Sequence, residues 1–440
     1  MNHSEQIRIA SAEPSKKFFT ETLPRDIALS DCVLDLVDNS VHSLVTTLGL
    51  DVSQHYFAAT KPPRIHASVD IVFDASRFRL TDDCGGISTA DATDVVFLFG
   101  NPVKEKTQAG LGVYGIGMKR AFFKIGRQIV FISHTRQEEF RIDIRVEEGE
   151  KSKEWNFPFK YARPRQSSDG GTVIEITELH STVSDQFASK AFSRILQDKT
   201  KKAFALFLKA GLTISINGDP ASPDVPELAE SRNLRPVRHL LKKDGVDILI
   251  MAGLSPKADR TPRGWYVFCN GRMVLEADKT EQTGWGSDSH PLFRSKYNHF
   301  LGYVYFRSRE VQKLPWTTTK EGVDRASPVY QAALAEMRLL SRPVLDFLND
   351  LYPDLKEESE PEHALLKEAM AVSPHRIAGR RNSVFLANVK KEAGDDLVSI
   401  QYKRPKKKLD KIREALGRAR MSASRIGEHT FDWFYDRNCN

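Results

Sequence analysis

Asp35 and Asn39 are the first residues along the chain whose types and spacing could do chemistry. They are four residues apart, so on a helix both side chains lie on one face. A carboxylate there can orient an attacking water or accept its proton. An amide oxygen one turn later can complete the shell of a Mg²⁺ that already holds phosphate oxygens. A solvated face of an amphipathic helix has the same spacing, so the pair alone leaves both interpretations open.

A second candidate group closes an apolar strand, in the segment Leu80-Thr-Asp-Asp-Cys-Gly-Gly-Ile87. Asp82 at the strand end, followed by two glycines, suits close approach of the backbone to a flat ligand. An ordinary tight turn uses the same residue types. Cys84 is a poor candidate for a nucleophile, because no histidine or other base is placed nearby in the sequence.

A third group is the glycine-rich loop Gly110-Leu-Gly-Val-Tyr-Gly-Ile-Gly117, which opens a helical stretch. Exposed amides at a helix N-terminus favour phosphate, and Lys119 would add a positive charge. The loop follows no strand and lacks the Gly-Lys-Ser/Thr ending, which argues against a Rossmann or Walker-type site.

These groups need a helix, a strand and a loop to position them. Apolar residues recur at helical spacing over residues 26–48, directly behind Pro24. A further helical stretch covers residues 118–125. Strand-like runs lie at 65–73, 77–81, 128–133, 139–146 and 171–178. This order predicts an α+β fold with helices packed on one face of a mixed or antiparallel sheet.

A second, smaller α+β domain is predicted after a helix over residues 183–209. Its strand-like runs lie at 212–216, 246–252, 264–268 and 302–306, and a long helix follows at 328–348. The charged, proline-broken stretch 354–362 reads as a linker. We therefore predict domains at residues 1–185 and 186–352, then a linker and a basic, partly helical segment at 353–440.

The three groups in this order, with Gly171-Thr172 opening a later strand, resemble the GHKL ATPase superfamily of gyrase B, the heat-shock chaperone of ninety kilodaltons, histidine kinases and MutL. The resemblance spans roughly residues 20–180. It implies a Bergerat-type sandwich that binds ATP and Mg²⁺. Its N-box corresponds to Asp35-Leu-Val-Asp-Asn39, its adenine box to Asp82-Asp-Cys-Gly-Gly86, and its phosphate loop to residues 110–117.

The resemblance also implies roles for single residues. Asn39 would ligate Mg²⁺, Asp82 would accept the adenine amino group beside Gly86, and Thr172 would support that contact. Asp35 would be the base; since the family commonly has the longer Glu there, turnover could be slow or hydrolysis dispensable. The residues expected around the phosphates are Gly110, Gly112, Gly115, Gly117 and Lys119.

Two later segments resemble the second, transducer domain of MutL and MORC proteins. They are Phe268-Cys-Asn-Gly-Arg272 and Leu314-Pro-Trp-Thr-Thr-Thr-Lys320. By that resemblance Lys320 would reach the ATP γ-phosphate and sense hydrolysis. The alternative is an ordinary surface lysine.

Composition limits the class of protein. With 40% hydrophobic and 28% charged residues, the chain is globular. No apolar run approaches the ~20 residues that span a bilayer, and the first residues lack a signal-peptide pattern. We therefore expect a cytoplasmic protein without a membrane partner. The four cysteines lie far apart without CxxC spacing, which indicates neither a zinc site nor a disulfide framework.

Positive charge is concentrated in residues 371–440, which hold 16 Lys+Arg against 8 Asp+Glu. Because the whole chain carries +7, the first 370 residues carry −1. Phosphate neutralisation, and hence DNA binding, is one interpretation of this segment. A solvated helix face, predicted from about residue 407 to 420, is the other.

The main hypothesis is an ATP-dependent clamp or switch. ATP would order a lid at residues 101–109 and dock Lys320, closing the two domains or a homodimer. DNA is the expected partner, in genome (antiviral) defence or DNA processing. No nuclease centre is recognisable in the sequence, so cleavage would belong to a partner nuclease. The alternatives are a chaperone-like ATPase acting on protein clients and an ATP-sensing scaffold that does not hydrolyse.

Overall fold

The structure is a computed structural model. It describes the chain apart from residues 1–13, 59, 100–114, 153–155, 224, 257–261, 288–289, 352–363, 378–381, 389–399, 401–402, 419–420 and 440. The chain forms two compact units, residues 1–388 and 389–440, each of which is treated by itself.

The first part of the larger unit contains helices and strands up to Pro220. The helices are α1 (Leu29–Leu48), α2 (Gln54–Ala58), α3 (Thr89–Asp91), α4 (Gly117–Ile125), α5 (Val146–Lys151), α6 (Ser181–Phe187), α7 (Lys190–Ala203) and α8 (Ala205–Ala210). The strands are β1 (Ser68–Phe73), β2 (Phe78–Asp82), β3 (Gly126–His134), β4 (Glu138–Arg145), β5 (Phe159–Pro164), β6 (Gly171–Leu179), β7 (Thr213–Ile216) and β8 (Asp219–Pro220). Single π-helical turns lie at Phe18–Thr22 and Ala92–Val96.

These strands form one sheet in the order β5-β4-β3-β6-β2-β1-β7-β8. Its pairs are antiparallel except β1 with β7, which are parallel. The predicted α+β class with a mixed sheet is therefore confirmed. The sheet also continues to Pro220, past the domain boundary predicted at 185, because apolar alternation identifies a strand but not the sheet that it joins.

Helix α1 begins at Leu29 and ends at Leu48, close to the predicted 26–48. Its apolar residues are buried, including Val33, Leu36 and Val37, since an amphipathic helix packs its apolar stripe against the core. Helices α4 and α7 pack against it. Gly49 ends the helix in the left-handed conformation, with a φ of 59°.

The second part of the same unit is built on another sheet. Its strands are β9 (Leu228–Glu230), β10 (Leu234–Arg235), β11 (Val237–Lys243), β12 (Val246–Leu254), β13 (Gly264–Cys269), β14 (Arg272–Asp278) and β15 (Phe300–Arg307), followed by helix α9 (Pro328–Leu351). Five of them are ordered β11-β12-β15-β13-β14, and α9 packs on β12. Every residue of β13 is buried, as in a strand covered on both faces.

The chain then returns to this second part. After α10 (Ala364–Lys367), β16 (Met370–Val372) pairs with β9, and β17 (Leu386–Ala387) pairs with β10. The basic segment predicted from residue 353 thus begins with chain that belongs to the larger unit.

The smaller unit contains α11 (Lys406–Ala415) and α12 (Ala423–Asn438). The first of these corresponds to the helix predicted at about 407–420, and it ends earlier, before Gly417 with its φ of 66°. Within the described ranges, none of the helices combines the length and the apolarity needed to cross a bilayer.

Candidate functional site

A cavity of about 1140 Å³ opens beside α1, large enough for a ligand of nucleotide size. Its walls come from α1, the loop after β2, the turn Ala92–Val96 and loops near residues 135–137, 168–170 and 309–312. Polar residues of these walls include Asn39, His42, Ser43, Asp83 and Asp91. The glycines Gly85, Gly86 and Gly170 also line it.

Asp82 ends β2 and is only 6% exposed. Ser40 Oγ donates a hydrogen bond of 2.6 Å to its Oδ2, and the Cys84 amide donates one of 3.0 Å to its Oδ1. The Thr172 amide donates to this carboxylate as well. Burial raises the pKa of Asp82 to about 6, although these hydrogen bonds favour the charged form. The carboxylate is therefore fixed in orientation.

Ser40 was missed by the sequence reasoning. It directly follows Asn39, and that adjacency in the helix is the only local signal that could have identified it. Its partner Asp82 is 42 residues further along the chain, so the pairing depends on how the helix lies over the sheet.

Two glycines let the loop after β2, the end of β3 and the start of β6 pack closely together beside Asp82. Gly86 has a φ of 72°, and a Cβ there would lie 1.9 Å from the carbonyl oxygen of His134. A Cβ on Gly171 would lie 2.0 Å from the carbonyl oxygen of Asp82. No side chain fits at such distances, so both positions require glycine.

Thr172 stands opposite Asp82 in the β2–β6 register. Its Oγ1 lies 3.3 Å from Ser133 Oγ, which accepts a hydrogen bond of 2.8 Å from the Ile87 amide. Thr172 therefore contacts Ser133, which in turn holds the loop that follows β2. Its predicted part in ligand binding remains a prediction.

The Cys84 thiol is buried, and burial raises its pKa far above the ordinary value. A thiol that stays protonated is a weak nucleophile. This burial agrees with the prediction that Cys84 is a poor candidate for a nucleophile.

Asp35, the candidate base, is buried and forms an ion pair of 2.8 Å with Arg120 of α4. Burial raises the pKa of Asp35, while the positive charges of Lys320 and Arg120 lower it. Gly117, the first residue of α4, lies against this carboxylate: a Cβ there would be 3.1 Å from Asp35 Cγ. The sequence reasoning assigned no role to Arg120, and the role of Asp35 as base remains a prediction.

Asn39 is half-buried in the cavity wall. Its Nδ2 is buried and has no hydrogen-bond partner among the described residues. A buried amide without a partner is costly unless a ligand completes it, so the residue fits a polar ligand. Its predicted part as a Mg²⁺ ligand remains a prediction. Among the described residues, no group of three or more His, Cys, Asp or Glu is placed to hold a metal.

Lys119, which was expected near the phosphates, is bonded to backbone carbonyl groups of a neighbouring turn. It is 1% exposed, and its Nζ donates hydrogen bonds of 2.7 and 2.6 Å to the carbonyl oxygens of Val96 and Leu98. Desolvation lowers its pKa to about 8. In this structure the ammonium fastens the end of the turn Ala92–Val96 to α4, and a phosphate contact would require those bonds to break.

The predicted phosphate loop is described only in part. Gly115 has a φ of 63°, a conformation that favours glycine, and Gly117 begins α4. Gly110, Gly112 and the predicted lid at residues 101–109 lie outside the described residues.

Lys320 is not a surface lysine: it is 6% exposed, and its Nζ donates a hydrogen bond of 2.8 Å to Asp38 Oδ2. The other oxygen of Asp38 accepts one of 3.0 Å from Arg272 Nε. Asp38 is 1% exposed and precedes Asn39 in the chain. The two segments of the second part that resembled a transducer domain therefore converge on one carboxylate of α1, which the sequence reasoning overlooked.

Comparison with known proteins identifies a family that matches part of the chain. Residues 27–178 match the family described as histidine kinase-, DNA gyrase B-, and HSP90-like ATPase. The matched segment runs from just before α1 to the end of β6 and includes Asp35, Asn39, Asp82 and Thr172. A search of curated proteins finds no match to the chain.

Proposed function

Residues 27–178 match the histidine kinase-, DNA gyrase B-, and HSP90-like ATPase family, and from this match we propose that the chain is an Mg²⁺-dependent, nucleotide-gated switch. The observation that carries the proposal is the convergence of Lys320 and Arg272 on Asp38. Asp38 adjoins Asn39 in the cavity wall, so a change at bound phosphate can reach the second part of the molecule directly.

ATP would lie along the cavity from the glycine pair to the start of α4. The adenine amino group would donate to Asp82, which Ser40 already orients and which, like Asp35, is absent from the described residues that line the cavity. The phosphates would lie near Asn39 and Met118, which line the same cavity, with backbone amides at the start of α4 facing them. Mg²⁺ would neutralise phosphate charge and polarise the γ-phosphoryl group for attack by water.

Slow hydrolysis is proposed rather than a fast cycle. Among the described residues that line the cavity, Asn39 is present and Asp35 is absent. The carboxylate also has to release Arg120 before both of its oxygens can act on a water. A step that needs rearrangement before chemistry limits turnover. Should that rearrangement not occur, the chain would be an ATP-sensing scaffold.

DNA is the proposed partner of the smaller unit, as a clamp in genome defence or DNA processing. Four lysines of α11 are exposed there: Lys406, Lys407, Lys408 and Lys411. Two acidic residues, Asp410 and Glu414, lie beside these lysines on the same helix, which still leaves it a net positive charge suited to phosphate contacts. A homodimer and a partner nuclease belong to the same proposal. A chaperone-like ATPase acting on protein clients is the alternative in which this charge is incidental.

The test is ATP turnover and nucleotide binding, each with and without duplex DNA. Wild type should bind ATP with Mg²⁺ and hydrolyse it slowly. Asp35→Ala should retain binding and lose turnover, and Asn39→Ala should lose Mg²⁺-dependent binding. Unchanged Mg²⁺-dependent binding by Asn39→Ala would refute the site assignment.

The test of DNA binding compares two variants that each lose four positive charges. Changing Lys406, Lys407, Lys408 and Lys411 to Gln should flatten the slope of log affinity against log salt by about 3 to 4. The control changes four exposed lysines elsewhere, at positions Lys160, Lys190, Lys242 and Lys243, and should leave the slope unchanged. Equal slopes in both variants, or no effect of DNA on turnover, would favour the chaperone or scaffold alternatives.

A further inference from the structure

One face of α1 carries three carboxylates, Asp31, Asp35 and Asp38, which the helical repeat places in a row. All three are buried, and each is held by a cation from a different element. Lys199 of α7 contacts the first, Arg120 of α4 contacts the second, and Arg272 with Lys320 contacts the third. The acidic face is therefore where several parts of the larger unit are joined.

Lys320 reaches this face from a closed turn. Trp316 and Val323 form an isolated β-bridge across the turn, and Lys320 itself has a φ of 56°. Its neighbour Glu321 accepts a hydrogen bond of 2.7 Å from Lys199, which also contacts Asp31. The turn is thus attached to α1 at two points.

Asp38 differs from the other two carboxylates because it has two cationic partners. Arg272 is fixed: it is buried, its Nη1 donates a hydrogen bond of 3.1 Å to the Met273 carbonyl oxygen, and its guanidinium lies 4.9 Å from the centre of the Phe204 ring. Lys320 has a flexible stem. If Lys320 leaves, Arg272 still neutralises Asp38, so the exchange leaves no unpaired charge in the interior.

Lys320 also acts on Asp35. Among charged neighbours its charge does most to lower the pKa of that carboxyl, and Asp38 acts in the opposite direction. Moving Lys320 toward a phosphate would therefore make Asp35 a stronger base when nucleotide is in place.

We propose that Asp38 is a positioning residue that holds Lys320 outside the nucleotide cavity and competes with the γ-phosphate for its ammonium. The proposal rests on the proposed function, since it requires ATP in the cavity. Among the described residues lining that cavity, Asn39 is present while Asp38 and Lys320 are absent. Lys320 is thus paired with Asp38, the residue that directly precedes the wall residue Asn39.

The first experiment compares binding of Mg²⁺–AMPPNP and Mg²⁺–ADP by the full chain, because ADP lacks the phosphate for which Asp38 competes. Asp38→Asn should raise the preference for AMPPNP over ADP by about tenfold. In a Lys320→Met background the same substitution should leave the preference unchanged. Asp38→Glu, which keeps the charge, should restore a preference near that of wild type. A role in folding alone would change both affinities by the same factor, and that outcome would overturn the proposal.

The second experiment is a double-mutant cycle on melting temperature with Asp38→Asn and Lys320→Met. The two substitutions should be strongly non-additive without nucleotide and additive with saturating AMPPNP. Asp51 and Arg307 form another ion pair between the two parts of this unit and supply the control: Asp51→Asn and Arg307→Met should couple equally in both conditions. Coupling between Asp38 and Lys320 that persists with AMPPNP would overturn the proposal.

Two further outcomes distinguish failure of the positioning role of Asp38 from failure of the proposed function. If wild type binds AMPPNP but the cycle is unchanged by it, the positioning role is wrong and the proposed function stands. If wild type binds neither nucleotide, both are wrong. Should Asp38→Asn fail to fold because Arg272 loses its partner, the same comparison in an Arg272→Gln background removes that unpaired cation.

Discussion

Oδ2 of Asp35 lies 2.8 Å from Nη2 of Arg120, which joins the candidate base of α1 to the helix that follows the phosphate loop. Any movement of α4 that accompanies phosphate binding would therefore act on the base. Gly117 makes the approach possible, because a side chain at that position would meet Asp35.

Substituting Arg120 should move the pH dependence of turnover. The positive charge of Arg120 lowers the pKa of Asp35 against the effect of burial, so Arg120→Gln raises that pKa. A base must be ionised to act, and the acid limb of the kcat profile should shift to higher pH. Arg120→Lys retains the charge and should shift the limb less. An acid limb that stays in place in Arg120→Gln would show that Asp35 is not the base.

ATP affinity should fall as the pH drops below about 6. The pKa of Asp82 is raised from 3.8 to about 6, so the carboxylate that we propose accepts the adenine amino group is ionised above about pH 6 and protonated below it. Affinity should decrease by as much as about tenfold per pH unit on the acid side. The measurement is AMPPNP titration between pH 5 and 8. Asp82→Asn should bind more weakly and without this dependence; a dependence that survives the substitution would assign the titration to another group.

Ser40→Ala should weaken ATP binding at neutral pH. It removes the 2.6 Å hydrogen bond to Asp82, which both orients the carboxylate and favours its charged form. Loss of a hydrogen bond to a charged group costs about 1.5–3 kcal/mol, so the affinity should fall by roughly tenfold or more. The control is Ser181→Ala, at an exposed position. Equal affinities in the two variants would mean that Ser40 does not set the adenine site.

Gly86→Ala should destabilise the fold far more than Gly49→Ala. Both glycines have a positive φ, 72° and 59°, so both substitutions strain the backbone similarly. A Cβ at Gly49 has nothing within 4 Å, whereas one at Gly86 meets the His134 carbonyl oxygen at 1.9 Å. We expect about 1 kcal/mol for Gly49→Ala and more than about 4 kcal/mol for Gly86→Ala. Denaturant unfolding of the two variants measures the difference, and similar losses would contradict the packing described here.

Truncation should be tolerated after Asn388 and not after residue 363. Removing 389–440 leaves β16 and β17 on their partners β9 and β10. Removing 364–440 strips both pairings and the buried residues Leu365, Leu366 and Ile377, so it should lower the melting temperature by several degrees or cause aggregation. Equal melting temperatures for the two truncated chains would mean that this return segment adds no stability.

Sequence reasoning worked where the information is local. Helical spacing located α1 within three residues at its start, and it placed Asp35 and Asn39 on that helix. It could not show what meets them. Arg272 is 234 residues from Asp38 and Lys320 is 282 residues away, and no periodicity within one segment encodes such pairings. For the same reason the phosphate contact of Lys119 stays a prediction: a lysine after a glycine loop suggests phosphate, while the carbonyl groups that hold it in this structure belong to another turn.

The parallel pairing of β1 with β7 has a consequence for synthesis. Strand β1 ends at Phe73, and the strand that covers its outer edge begins at Thr213. At ribosomal rates of about 5–20 residues per second, that edge stays without its partner for roughly 7 to 28 seconds while the intervening chain emerges. A nascent chain in this interval presents an unpaired strand edge. This interval is when the protein would depend on a chaperone at the ribosome, and a pause placed before β7 would lengthen it.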